Sequence, residues 1–297
     1  MFNKIPIKIH CWGGLGSQLY AWALFERLNI LFPGRPLMLV LHTSGVTRRV
    51  SNLNALFSKE ELATQDDYGN SQDFVNANII GIAMKFGILN TRKFKSTLLL
   101  KKLAYRLGFI TSCENEKNVA QLKPWVFSIR GHYSNLVIEP EIINAMLSRA
   151  NRNNFSHLDM NSTERVGFAL HYRLGDLLTL SEKSPIEARK VASCITKLDS
   201  RNVVVISDSP EVALKLLGEL VSNVNFKNLD LPIWDAIKFL TLAQVFIGTP
   251  SKISEWVAIF RVHFASKNGI TILPIEMKSQ MNQVLPVELK NRHLSYY

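Results

Sequence analysis

The stretch from Val166 to Asp176, VGFALHYRLGD, begins as a short apolar run and ends in His171, Arg173, Gly175 and Asp176. A buried parallel strand has this form when its C-terminal end carries chemistry. An arginine there can make two charge-assisted hydrogen bonds to a phosphate, and a glycine lets the backbone approach a ligand closely. The same residues also fit a strand that runs into a surface turn, with Arg173 paired to Asp176. This stretch alone leaves both interpretations open.

Predicted strands and helices alternate on both sides of this stretch. After its start, apolar runs and helical spacing predict strands at 166–172, 202–207, 245–248 and 270–275 and helices at 185–198, 210–220, 232–243 and 251–264. Before it, they predict strands at 5–12, 37–41 and 127–131 and helices at 17–31 and 140–150. Residues 45–75 are polar and irregular in pattern. The alternation predicts an α/β fold with parallel sheets, whose ligands lie at the carboxyl ends of the strands.

The chain length fits two domains. At 297 residues, 47% of them hydrophobic, the chain can form two α/β halves of about 150 residues each. Residues 151–162 are rich in Asn, Ser and charge, which is typical of a linker. We therefore predict one Rossmann-like domain over 1–155 and a second over 156–297, with a C-terminal tail that can pack back on the first.

The charge balance indicates an anionic partner. Lys and Arg number 35 against 24 Asp and Glu, a formal net charge of +11. Nucleic acid, a phosphorylated substrate and a membrane surface all fit such a charge. No helix-turn-helix, zinc-finger or RNP-like pattern accompanies the basic residues, so we expect no nucleic-acid partner.

Residues 85–106 form the most basic stretch, with seven Lys or Arg and no Asp or Glu, interleaved with Phe and Leu. Such a stretch fits an anionic membrane face, and it equally fits a solvated basic helix packed on the domain. The start of the chain does not read as a secretory signal, and no apolar run reaches the ~20 residues that span a bilayer. We expect a cytoplasmic protein, free or associated with the inner face of the membrane.

Metal chemistry is not expected. No two aspartates stand in a D-x-D spacing, the seven histidines form no close pair, and the three cysteines lack a C-x-x-C spacing. We expect His10 and His263, which lie within apolar patterns, to be core residues. The turn at Gly13-Gly14-Leu15-Gly16 does not complete G-x-G-x-x-G, because position 19 is Leu, and it lacks the Walker lysine. We therefore predict no metal and no other cofactor.

Polar clusters follow the predicted strand ends. They are Gly13–Gln18, Gly131–Asn135, His171–Asp176, Ser207–Asp208 and Thr249–Ser254. Two members have simpler interpretations: Asp208 can cap the helix that begins at Pro210, and Ser251 can cap the helix that follows it. If both halves are Rossmann-like, these ends can converge on one cleft.

Taken in order, these clusters resemble the GDP-fucose-dependent α-1,2-fucosyltransferases of bacterial surface polysaccharides and animal glycans. The family's G-G-L-G-N-Q-[ML]-[FY]-x-[YW]-A resembles residues 13–23, and its G-Y-[FW]-Q-[SN] resembles residues 131–135. Its H-x-R-x-G-D matches His171, Arg173, Gly175 and Asp176. Its S-D-[DS] resembles residues 207–209, and N-S-[ST]-F-S-W-W-[AG]-A resembles residues 250–258.

The resemblance implies a GT-B architecture, with the acceptor bound mainly by the first domain and the nucleotide sugar by the second. It implies an inverting, metal-independent mechanism in which Arg173 holds the GDP diphosphate and His171 shapes the pocket. The donor-binding residues that it implies are Gly14, Gly16, Gln18, Arg173, Gly175, Asp208, Ser251 and Ser254. The acceptor-side candidates are His132 and Tyr133.

Three departures from the family motifs bear on the donor. Ser17 replaces Asn, Leu174 replaces the second arginine of H-x-R-R-G-D, and residues 250–256 differ from N-S-T-F-S-W-W. Another nucleotide sugar therefore stays open as the donor. For the general base, Asp176 comes first, followed by His132 and Glu255.

The sequence thus predicts a glycosyltransferase, specifically one that moves fucose or a related sugar from a GDP-sugar to a hydroxyl of a lipid-linked surface-polysaccharide or O-antigen precursor. The alternatives are a transferase of the same fold with another nucleotide sugar, an inactive relative that only binds one, and a non-enzymatic nucleic-acid-binding protein.

Overall fold

The computed structural model describes residues 5–43, 50–65, 103–153, 155–156, 167–175, 188–198, 200–264, 269–289 and 294–297. Their contacts divide the chain into two compact units, residues 1–136 and 137–297. Each unit is built on its own parallel sheet with helices, so the predicted α/β class is confirmed.

The first unit contains a five-stranded sheet in the order β3-β2-β1-β5-β4. Its strands are β1 (Ile7–Trp12), β2 (Leu37–His42), β3 (Leu62–Gln65), β4 (Ile110–Ser112) and β5 (Ser128–Arg130), and its described helices are α1 (Leu15–Leu31) and α2 (Glu116–Ala120). Every pairing in the sheet is parallel. Gly13 has a positive φ of 107°, which lets the chain turn from β1 into α1.

The second unit contains a six-stranded sheet in the order β11-β10-β9-β6-β7-β8. Its strands are β6 (Phe168–His171), β7 (Asn202–Ile206), β8 (Asn225–Asn228), β9 (Val245–Gly248), β10 (Ile270–Leu273) and β11 (Leu294–Tyr296). Its α-helices are α3 (Pro140–Arg152), α4 (Ala188–Lys197), α5 (Pro210–Gly218), α6 (Ile233–Leu242), α7 (Lys252–Phe264) and α8 (Lys278–Val284), with short 3-10 turns at Ile275–Met277 and Val287–Leu289.

The strand order of the second unit is that of the doubly wound Rossmann fold. From β6 the chain moves outward through β7 to β8, then returns to β9 on the other side of β6 and moves outward through β10 to β11. The direction of winding therefore reverses between β6 and β9. Open parallel sheets bind their ligands at this switch point, outside the carboxyl ends of the strands.

The strands that sequence reasoning missed are β3, β4, β8 and β11, which are the edge strands of the two sheets. Each has at most four residues and at least one exposed or half-buried position, so none produces the apolar run of a central strand. The polar stretch 45–75, interpreted as irregular, contains β3.

The division by contacts falls between Leu136 and Val137, whereas the sequence placed the domain boundary at 155 and 156. The difference is helix α3. The Ile138 N–H, just before that helix, donates to the Val284 carbonyl at 2.7 Å, and His263 Nε2 lies 3.2 Å from the Ile138 carbonyl. These contacts place the segment with the second unit.

Candidate functional site

The switch point between β6 and β9 brings together most of the polar residues predicted for the second half of the chain. His171 ends β6 and lies beside Gly248, the last residue of β9. The segment 172–175 follows β6, and residues 249–251 connect β9 to α7. The site therefore forms where the Rossmann topology predicts a ligand.

Hydrogen bonds to neighbouring strand ends fix the backbone of residues 172–175. The Tyr172 N–H donates to the Ile206 carbonyl at 2.9 Å. The Arg173 N–H donates to Thr249 Oγ1 at 2.9 Å, and that hydroxyl donates in turn to the His171 carbonyl at 3.0 Å. Because the segment is anchored on both sides, it is a rigid platform for the arginine.

Side chains alternate along this segment. Tyr172 and Leu174 are buried in the core formed by β6, β7, α4 and α5, at 1% and 0% exposure. Arg173, between them, is half-buried. The position that carries a second arginine in H-x-R-R-G-D is therefore an interior position here, which is why it suits leucine.

Asp208 holds the end of the segment. Its Oδ1 accepts hydrogen bonds from the Leu174 N–H at 2.8 Å and the Gly175 N–H at 2.9 Å. A Cβ on Gly175 would lie 2.3 Å from Asp208 Oδ2, so no other residue fits without displacing the carboxylate. The simpler interpretation of Asp208 as a helix cap is wrong, because the N-cap of α5 is Ser209 and it makes no side-chain cap hydrogen bond.

The imidazole of His171 is held by two serine hydroxyls from the start of α7. Its Nδ1 lies 2.8 Å from Ser254 Oγ and 3.4 Å from Ser251 Oγ. Ser251 Oγ also accepts from the Ser254 N–H at 3.0 Å, which confirms Ser251 as the cap of this helix. Since the serines occupy Nδ1, the ring can offer only Nε2 to a ligand.

Burial lowers the pKa of His171 to about 4, against an opposing contribution from Asp208 and a further lowering by Arg173. The ring is therefore neutral at pH 7. Ser254 is completely buried, so it acts on the site through His171, whereas Ser251 retains 8% exposure.

The predicted donor-side residues of the first unit lie around the turn from β1 into α1. Gly14 is the N-cap of α1 and has no side chain to cap it, while Gly16 is buried in the first turn. Gln18 is buried, and its amide donates to the Val50 carbonyl at 2.9 Å and accepts from the Asn52 N–H at 3.0 Å. Gln18 thus anchors residues 50–52 to this turn.

The two acceptor-side candidates differ in accessibility. Tyr133 is completely buried and has a positive φ of 58°, and its hydroxyl lies 2.6 Å from the His10 carbonyl, to which it donates. His132 is exposed, and its backbone N–H donates to Glu114 Oε2 at 3.3 Å. Of the two, only His132 offers its side chain at the surface.

Some predicted residues lie outside the described part of the chain. Asp176 is one of them, and so is the basic stretch 85–106 up to residue 102. Thr249 was placed in the polar cluster 249–254 but not among the predicted donor-binding residues, although a hydroxyl directly after a buried strand was the available signal.

Among the described residues, no group of three or more His, Cys, Asp or Glu is placed to hold a metal ion. No helix in the described ranges is long and apolar enough to cross a bilayer.

No family model matches the sequence, and no curated protein matches it. Among solved structures, the Escherichia coli heptosyltransferase WaaC with ADP is similar at 11% identity and a TM-score of 0.45, over 98% of this chain and 93% of that one. POFUT1 in complex with GDP is similar at 11% identity and a TM-score of 0.43, over 92% and 98%. A family 9 glycosyltransferase from Veillonella parvula is similar at 13% identity and a TM-score of 0.41, over 92% and 81%. At TM-scores below 0.5, these likenesses decide neither the ligand nor the chemistry of this chain.

Proposed function

We propose that this protein is a glycosyltransferase that binds a nucleotide sugar at the switch point of the second unit, with GDP-fucose as the first candidate donor. The observation that supports it is the position of the H-x-R-x-G-D residues. His171, Arg173 and Gly175 lie together at the carboxyl end of β6, with Asp208 and Ser251 beside them. A Rossmann sheet binds nucleotides at this place.

Arg173 supplies the charge in this proposal. Its backbone is fixed by Thr249, its neighbours are anchored in the core, and its own side chain is half-buried. A guanidinium can bind two oxygens of a diphosphate and stabilise the charge that develops on the leaving nucleotide. The bond from the anomeric carbon to the diphosphate oxygen breaks as the acceptor hydroxyl attacks, with inversion at that carbon and without a metal.

The neutral ring of His171 supplies a hydrogen bond in place of a second charge. Nδ1 of His171 faces the Ser254 hydroxyl. For Nε2 to carry the ring proton and donate to a phosphate oxygen, Nδ1 must accept a hydrogen bond from that hydroxyl. The Ser251 hydroxyl, at 3.3 Å from Ser254 Oγ, donates to Ser254 in that arrangement. His171 is thereby a fixed neutral donor beside the cation of Arg173.

The proposal also includes an acceptor and a general base. We propose a hydroxyl of a surface-polysaccharide or O-antigen precursor as the acceptor, on the side of the first unit, with His132 as the accessible candidate contact. Asp176 is the first candidate for the base because it follows Gly175 directly. The basic stretch 85–106 is the candidate contact with anionic lipid at the inner membrane face.

Two measurements test the proposal. Calorimetric titration with GDP should show binding to one site, and incubation with GDP-fucose and a panel of glycan acceptors should release GDP. A panel that includes ADP-heptose and UDP-sugars tests the alternative donors. Absence of GDP binding together with absence of GDP release would remove GDP-fucose from the proposal.

A further inference from the structure

The first unit's sheet has a carboxyl edge of its own, and Arg130, at that edge, is not part of the proposed donor site. From β1 the chain moves outward through β2 to β3, crosses to the opposite edge of the sheet at β4, and returns inward to β5, which pairs with β1. The carboxyl ends of these strands therefore form a second place where a parallel sheet can bind a ligand.

Polar and aromatic side chains share one face of the sheet there. His10 and Trp12 are two residues apart on β1, so both point to the same face. Trp12 lies directly beside His42 on β2, and His10 lies directly beside Arg130 on β5. The opposite face at the same level carries apolar residues, among them Ile9 and Leu41.

These side chains form a stack. The rings of Trp12 and His42 lie 4.4 Å apart at an interplanar angle of 8°, and the guanidinium carbon of Arg130 lies 5.0 Å from the centroid of the Trp12 ring. His10 Nδ1 is 3.1 Å from His42 Nε2, which ties the second histidine to β1. The stack holds the planar groups of Trp12 and Arg130 in fixed positions.

Arg130 is a charged group that the fold leaves partly unsatisfied. It is 8% exposed, and its Nε is buried without a hydrogen-bond acceptor. In the described part of the chain, no carboxylate lies within ion-pair distance of its guanidinium. A guanidinium N–H that is buried without an acceptor is costly, because it has lost its hydrogen bonds to water. Such a group favours a partner from outside the fold.

The histidine beside Arg130 carries no charge at pH 7. Burial, followed by the charges of His42 and Arg130, lowers the pKa of His10 to about 2, so His10 is neutral at pH 7. The carboxylate of Glu114, on the segment after β4, accepts from the His132 N–H beyond β5. An incoming anion therefore meets Arg130 beside the indole of Trp12, without a competing ion pair in the described residues.

We infer that the carboxyl end of the first unit's sheet is a binding site for a sugar that carries an oxyanion, with Arg130 as the residue that recognises the anion and Trp12 as the residue that orients it. The oxyanion is a carboxylate of an acidic sugar or a phosphate. That this site binds the acceptor rests on the proposed glycosyltransferase function. That it binds an anion rests on Arg130 alone.

Three small probes separate the possible ligands. Methyl β-glucuronide carries a carboxylate, methyl β-glucoside 6-phosphate carries a phosphate, and methyl β-glucoside is neutral. Each probe is titrated calorimetrically into the full chain. Both anionic probes should bind at least about tenfold more tightly than the neutral one, because only they can accept a charge-assisted hydrogen bond from a buried cation. The tighter of the two anions identifies the source of the oxyanion.

Arg130→Gln should abolish this preference, and Arg130→Lys should keep a reduced one because lysine binds an oxyanion through a point charge only. Arg152→Gln, which removes the same charge from an exposed position on α3, is the matched control and should leave the preference intact. GDP titrated into each folded variant should bind with wild-type affinity, because the proposed donor site does not include Arg130.

The inference is overturned if the neutral probe binds as tightly as the anionic ones, or if Arg130→Gln and Arg152→Gln weaken the anionic probes equally. If circular dichroism shows that Arg130→Gln does not fold, two other results test the inference. They are the preference of the wild type for charged over neutral probes and the reduced preference of Arg130→Lys. Arg130-dependent anion binding without GDP binding would overturn the proposed function and leave this site standing. GDP binding without any preference for the anionic probes would overturn this site and leave the proposed function standing.

Discussion

The carboxyl ends of the two sheets carry similar residues in different surroundings. In each sheet, a histidine at or near the end of a central strand lies beside the last residue of a neighbouring strand. In the second unit that neighbour is Gly248, and the space beside His171 is filled by Ser254. In the first unit it is Arg130, whose Nε has no acceptor.

The difference separates two ways of using a buried polar edge. At the switch point of the second unit, internal hydrogen bonds satisfy the backbone of residues 172–175 and the Nδ1 of His171, which makes a rigid platform with Arg173 at its rim. At the carboxyl end of the first unit's sheet, the charged side chain of Arg130 is itself buried. A satisfied platform positions a group for chemistry, whereas an unsatisfied cation favours recognition of an anion.

The largest expected effect is on turnover at the switch point of the second unit. Arg173→Ala should lower kcat/KM with the proposed donor by about 10²–10³-fold, equivalent to about 3–4 kcal/mol, because the charge that stabilises the leaving diphosphate is gone. Release of GDP from GDP-fucose measures it. Arg189→Ala, at an exposed position on α4, should be neutral. Unchanged turnover in Arg173→Ala would contradict the role given to that residue.

Gly175→Ala should disrupt the platform. The new Cβ would lie 2.3 Å from Asp208 Oδ2 and would displace the carboxylate that holds the Leu174 and Gly175 N–H groups. We expect a loss of about 2–3 kcal/mol in the free energy of unfolding, measured in urea, and weaker GDP binding. Gly167→Ala, directly before β6, meets nothing within 4 Å and is the matched control. Equal stability of the two variants would mean that the contact between Gly175 and Asp208 is not needed.

Acid should destabilise the protein through its buried histidines. The pKa of His171 falls from 6.5 in the unfolded chain to about 4 in the folded one, so only the unfolded state binds a proton between those values. Stability is therefore retained above pH 6.5 and lost as the pH falls towards 4, by about 2 kcal/mol at pH 5 for this residue. Urea unfolding at pH 7.5 and pH 5.0 measures the loss.

The His171→Gln variant should lose about 2 kcal/mol less between these two pH values than the wild type does. A loss of the same size in both proteins would show that His171 is not buried in its neutral form. His10, whose folded-state pKa is about 2, should continue to destabilise the protein below pH 4 in either background.

The smallest expected effect comes from the serine behind His171. Ser254→Ala removes the hydroxyl 2.8 Å from Nδ1 and should cost about 1–2 kcal/mol in the free energy of unfolding. Ser251→Ala should cost a similar amount through loss of the helix cap. Only Ser254→Ala should strongly shift the Nδ1 resonance of His171 in nitrogen NMR. Equal shifts in both variants would mean that Ser254 does not determine the tautomer.

The central elements of the fold followed from the sequence, and so did the switch point of the second unit. The apolar runs that end in polar residues predicted β1, β6, β7 and β9, and the Rossmann strand order places the polar ends of β6 and β9 next to each other. The edge strands could not be predicted, because half-exposed strands of three or four residues leave no period to recognise.

The cluster at the carboxyl end of the first unit's sheet was missed for a different reason. His10 lies within an apolar pattern, and its burial is as expected. The pairing of β1 with β5 brings Arg130 beside it from far along the chain, and no local pattern contains that contact. Asp208 shows the same limit of prediction from local sequence. A local rule favoured a helix cap, whereas the N–H groups that donate to Asp208 lie on the segment after β6.

Calorimetric titration of GDP into the wild type, Arg173→Ala and Arg130→Gln tests the central claim most directly. If the nucleotide binds at the switch point between β6 and β9, the wild type and Arg130→Gln should bind GDP with the same affinity, and Arg173→Ala should bind it at least about tenfold more weakly. Equal GDP affinity in all three proteins, or loss of binding in Arg130→Gln with binding retained in Arg173→Ala, would contradict it.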